Sequence, residues 1–189
     1  VKENLAYNDL VQLESILARP QLQTSIVSPN GFFRVHYDLT GINSLGYDIN
    51  LLLQSLDSVY QYEINYLVYP IPPEDGAEGG DDKYDIYIMN IAGIYGYTQL
   101  EIKVADSRWT SFMVIDNDYA GGYNSTGING ARVTVAHEFH HSIQCGNYAP
   151  QNSSYPYRNS DVFYFELTST AMEEFVFDDV NDYYAYMAD

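Results

Sequence analysis

The chain has 189 residues, with 26 acidic against 8 basic side chains and a formal net charge of −18. That balance argues against nucleic acid and anionic membranes as partners. Hydrophobic content of 46%, including 20 tyrosines, argues for a folded core rather than disorder, and no run of about 20 apolar residues offers a membrane span.

In chain order, Leu5, Leu10, Leu13, Ile16 and Leu17 give Asn4 to Ala18 a helical spacing, closed by Arg19-Pro20. The segment reads either as a pro-segment remnant or as an ordinary packing helix. After the turn Ser28-Pro29-Asn30-Gly31, alternation predicts a strand over Phe32 to Leu39. Helical spacing returns from Leu45 to Tyr62. Ile64 to Tyr69, Tyr84 to Asn90, Gly96 to Val104 and Ser111 to Asp116 complete an expected five-stranded sheet. Between them, Glu74 to Asp82 is an acidic, glycine-rich loop. The glycine-rich stretch Ala120 to Gly130 leads into a helix over Val133 to Cys145. Gly146 to Asn159 then reads as loop, and Ser160-Asp161 caps a helix from Val162 to Asp178.

The informative stretch is VTVAHEFHHSIQC. On a helix, His137 and His141 lie one above the other, four residues apart. Two imidazoles so placed can grip a zinc ion, and Glu138 beside them can take a proton from water. Val135, Ala136, Phe139 and Ile143 form the opposite, apolar side. Burying two imidazoles and a carboxylate on such a helix is costly unless a metal satisfies them. His140 points to the apolar flank and reads as a hydrogen-bonded core histidine. Cys145, the sole cysteine, excludes an internal disulfide and reads as a small core residue.

A catalytic zinc takes three protein ligands and keeps an open position. On the helix from Val162 to Asp178, Glu166, Thr170, Glu173 and Phe177 share one face. Glu166 is the chosen third ligand, with Glu173 its competitor. If Glu166 ligates, Glu173 or Thr170 becomes a supporting hydrogen-bond partner. A tyrosine of the following loop, Tyr148, Tyr155 or Tyr157, is the candidate oxyanion donor. Two acidic groups, Asp81, Asp82 and Asp85, or Asp116, Asn117 and Asp118, are candidate calcium ligands.

The two-helix pattern resembles the gluzincin zinc metallopeptidases, in which H-E-x-x-H is followed by a glutamate on a later helix. Here Glu166-Leu167-Thr168-Ser169 matches the family's shorter downstream pattern, and Thr170 stands where the thermolysin-like pattern has Asp. SPNGFFRVHYDLTG, GGDDKYDIYI, VIDNDYAG and VTVAHEFHHSIQ, with FELTSTAMEE and VNDYYAYM, are similar to a group of bacterial metalloproteases assigned as secreted. The resemblance implies an α+β, zincin-like fold whose mixed five-stranded sheet packs on the active-site helix. It implies a catalytic domain over residues 28–189, behind an N-terminal helical segment 1–27, and an extracellular setting. The chain begins at Val1 rather than Met, and the expectation is a piece of a longer protein.

The expected activity is zinc-dependent endopeptidase action on protein or peptide substrates, with Glu138 as general base and Ser111 to Asp116 as the edge strand that receives the substrate. The alternatives are a catalytically inactive, zinc-stabilised extracellular binding module and a latent protease precursor.

Overall fold

The computed structural model describes residues 18–91, 93–149 and 159–186. The expected helix from Asn4 lies outside them but for Ala18. Five strands form one mixed, open sheet: β1 (Thr24–Val27), β2 (Phe33–Tyr37), β3 (Tyr84–Met89), β4 (Gly96–Ala105) and β5 (Arg108–Asp116). Their spatial order is β1-β2-β3-β5-β4, antiparallel at both ends and parallel in the middle. Three helices complete an α+β fold: α1 (Ile49–Tyr60), α2 (Gly127–Asn147) and α3 (Asn159–Val176). No helix of the described residues is long and apolar enough to cross a membrane.

Side chains alternate across a strand, so each face of the sheet has its own layer. Phe33, Val35, Ile86, Ile88, Met113 and Ile115 point to one face, fully buried against Leu52, Leu56 and Val59 of α1 and Val135, Ala136, Phe139 and Ile143 of α2. Each such side chain contributes roughly 1.5–3 kcal/mol of burial. The apolar side expected for the metal helix is thus the side that packs on the sheet. The other face carries a smaller layer of Tyr87, Phe112 and Val114 under Leu22.

Three expectations fail, each for a nonlocal reason. Ile64 to Tyr69 is not a strand: residues Gln61–Tyr66 prolong α1 as a wider π turn, closed by the Leu67 amide donating to the Tyr62 carbonyl at 2.9 Å. What holds it is Glu63, fully buried with one carboxyl oxygen 2.8 Å from Nδ1 of His140. The fifth strand is instead β1, inside the segment 1–27 expected to be helical; its register with β2 runs from Thr24 opposite Tyr37 to Val27 opposite Arg34. Ser111 to Asp116 is not an edge, since β5 lies between β3 and β4. The open edge beside α2 is β4.

Candidate metal centre

Helix α2 runs along the sheet, with nearly every residue from Gly130 to Gly146 buried. His137 and His141 emerge from it at the one place where β4 and α3 leave a cleft, and α3 brings Glu166 to them. Nε2 of His137 lies 3.0 Å from Nε2 of His141 and 3.2 Å from one Glu166 oxygen. The other Glu166 oxygen is 3.4 Å from Nε2 of His141. Tetrahedral zinc with bonds near 2.0–2.1 Å sets its ligands about 3.3 Å apart. Among the described residues this is the group able to hold a metal ion.

The outer nitrogens fix what the inner ones can do. Nδ1 of His137 is 2.6 Å from a Glu173 oxygen; burial pushes this carboxyl up while the bond to His137 draws it down, and in its ionised form it accepts from Nδ1. The Gln144 amide nitrogen donates to the Phe165 carbonyl at 3.1 Å and the Thr168 hydroxyl at 2.9 Å. That orients the amide, so its oxygen accepts from Nδ1 of His141 at 2.8 Å. The fully buried Ser169 hydroxyl stands 3.2 Å from the same nitrogen. With both Nδ1 atoms protonated, neutral imidazoles turn two bare Nε2 lone pairs toward each other and toward a carboxylate. Only a cation between them makes that arrangement favourable. In the metal-free chain a proton fills the role. Burial opposes charge on His137, but Glu166 and Glu173 outweigh it and raise the imidazole to about 10. The two histidines in turn hold Glu166 well below the usual carboxylate range. The donor set therefore fits a divalent metal, and the half-exposed Glu166 leaves the centre open to the cleft.

Glu138 follows His137 and is 7% exposed, at the wall of the same cleft. The Thr98 hydroxyl lies 2.8 Å from one Glu138 carboxylate oxygen and 2.9 Å from its backbone carbonyl. A side chain at position 96 could not coexist with this wall. A Cβ on Gly96 would come 2.6 Å from the Thr134 methyl, 2.9 Å from the Val114 carbonyl and 3.4 Å from Cγ of Glu138. Glycine lets β4 approach α2 closely enough for Thr98 to reach the carboxylate. The cleft encloses about 1010 Å³, lined on one side by Tyr95 to Thr98 and on the other by α3.

The remaining expected residues sort as follows. Glu173, the competitor for the third ligand position, is the partner of His137 instead. Thr170 lines the cleft. Tyr148 sits at the end of α2, half-exposed, and does not line the cleft; Tyr155 and Tyr157 lie outside the described residues. Cys145 is buried in the core. His140 is the core histidine its flank suggests. Burial pushes Glu63 up and His140 down to about 4, so the pair is neutral, the Glu63 carboxyl donating to Nδ1. The roles of Gln144, Thr98 and the contact between Ser169 and Nδ1 of His141 carry no signal in the sequence.

Of the calcium candidates, Asp82 is exposed, and the other five have partners within the chain. Asp81 is paired with Arg34 and Lys83, and the buried Asp85 is paired with Arg19 and hydrogen-bonded with His36. The Asp116 oxygens accept from the amides of Ile91, Asp118 and Tyr119, and Asp118 accepts from Ala120. The Asn117 amide donates to the Ser44 carbonyl at 2.7 Å. These side chains brace loops. Compared with known protein families, curated proteins and solved structures, the chain finds no match in any of the three.

Proposed function

We propose that the chain is a zinc-dependent endopeptidase of the gluzincin kind, acting outside the cell. The observation that carries the reading is the convergence of two imidazole lone pairs and the Glu166 carboxylate, both Nδ1 atoms already engaged, beside the buried Glu138 in an open cleft. His137, His141 and Glu166 would hold the ion. A bound zinc supplies Lewis acidity, polarising a carbonyl and acidifying water.

Glu138 does the proton work. Thr98 occupies one of its oxygens, leaving the other to accept a proton from the attacking water and deliver it to the departing amine. Glu173 and Gln144 keep the imidazoles turned inward. Strand β4 is an edge of the sheet among the described residues and forms one wall, against which an extended peptide adds as a further strand. Tyr97 and Tyr183, which line the cleft, replace Tyr148 as the candidate hydroxyl donors to the oxyanion.

The test is Glu138→Gln, assayed with zinc content measured alongside. Hydrolysis of a casein-derived peptide should fall by roughly 10²–10⁴-fold with zinc retained. Cleavage equal to the wild type removes Glu138 from the mechanism. A wild type that holds zinc but cleaves nothing leaves a zinc-stabilised binding module.

A further inference from the structure

The lining of the cleft contains four carboxylates, Glu138, Glu166, Glu173 and Asp182, and no lysine or arginine among the described residues. A divalent ion offsets two of those charges, and the lining stays acidic on balance. The described cations are engaged elsewhere: Arg19, Arg34, Lys83, Lys103 and Arg132 on other carboxylates, and Arg108 on the Gly146 carbonyl. Glu138, Glu166 and Glu173 each have a task at the centre. Asp182 has none.

Asp182 follows α3 in the turn Asp182–Tyr186 and is only 4% exposed, yet it lines the cleft. One of its oxygens accepts from the Tyr95 hydroxyl at 2.9 Å. That hydroxyl is itself fixed by the Asn124 and Ser125 amides, 2.9 Å and 3.2 Å away, in the turn that leads into α2. Tyr95 immediately precedes β4. The carboxylate is therefore held rigidly at the start of the strand along which a peptide would lie, with no protein cation paired to it among the described residues. A carboxylate so buried is stabilised by a cationic partner, and the field of its neighbours discourages an acidic one.

We infer that Asp182 is a specificity residue that takes a lysine or arginine side chain of the bound peptide, so that the cleft prefers basic substrates and rejects acidic ones. The inference rests on the peptidase reading. The test uses N-acetylated peptides that differ only in Lys, Gln or Glu at positions scanned to either side of the cleaved bond. At the position that meets Asp182, the Lys peptide should exceed the Gln peptide about tenfold or more in kcat/KM, with the Glu peptide lowest. The Lys-to-Gln ratio should shrink as ionic strength rises and collapse toward one in Asp182→Asn, a variant that keeps an acceptor for Tyr95. Anisotropy binding of the same peptides to zinc-loaded Glu138→Gln reads the preference without turnover. If the wild type cleaves nothing while the Lys preference persists in binding, the peptidase reading falls and Asp182 stands. A ratio near one in both assays, or one unchanged in Asp182→Asn, overturns the proposal.

Discussion

The two faces of the sheet each carry a cluster of carboxylates around histidine, and they are completed in opposite ways. On the face away from the helices, Asp75, Asp85 and Glu101 surround Arg19. Its guanidinium reaches Asp75 and Glu101 at 2.5 Å, bonds Asp85, and lies over the Phe112 ring. His36 closes the group, 2.7 Å from Asp85 and stacked on Tyr87. On the helix face, Glu166, Glu173 and Glu138 gather around His137 and His141, and no lysine or arginine joins them among the described residues. Where the protein needs only to be held together, it supplies its own cation from the chain. At the other cluster the donor atoms of His137, His141 and Glu166 lie close enough to hold a metal ion, and the position stays open to the cleft.

Removing the internal cation should have the largest effect: Arg19→Met leaves three carboxylates without their partner and should cost about 3 kcal/mol or more, read from denaturant midpoints. The substitution should leave zinc affinity unchanged, because the clusters lie on opposite faces. Next comes Glu173→Gln, which keeps an acceptor near Nδ1 of His137 but removes its charge. Zinc affinity should drop 10–100-fold, measured against a competing chelator, with folding retained.

The proton that stands in for zinc gives a pH test. His137 holds it up to about pH 10 in the folded metal-free chain, against near 6.5 for a free imidazole. That stabilisation is complete below pH 6.5 and is lost as pH rises toward 10. Metal-free protein should therefore weaken across this window, and zinc-loaded protein should not, because the ion has displaced the proton. A midpoint that falls equally with and without zinc would assign the loss to other groups. The smallest effect belongs to Thr98→Val, which deletes the hydroxyl beside Glu138. It should lower kcat several-fold, in keeping with about 1 kcal/mol for one hydrogen bond, with KM little changed.

What could be read from the sequence was what local periodicity carries. The four-residue spacing of His137 and His141 and the shared face of Glu166 and Glu173 needed only a helix. The alternation in Tyr84 to Met89 needed only a strand. The misreadings depended on partners far along the chain. Ile64 to Tyr69 has strand-like composition, but Glu63 is drawn inward by His140, 77 residues away. Asp85 looked like a calcium ligand because Arg19, 66 residues earlier, gave no sign of its destination. The four-residue β1 lacked the length to show alternation, and the exchange of β4 and β5 at the edge is a pairing choice that neither strand's own sequence records. Gln144 was open to inspection one turn past His141. Its role became visible only once Phe165 and Thr168 fixed the direction of its amide.

The most direct measurement is zinc stoichiometry by elemental analysis, on wild-type protein loaded with zinc and dialysed, with Glu166→Ala beside it. One zinc per wild-type chain is expected, with loss or marked weakening in the variant. Wild-type protein that retains no zinc when supplied with it would contradict the metal centre outright, and zinc held equally by Glu166→Ala would contradict the three-ligand assignment.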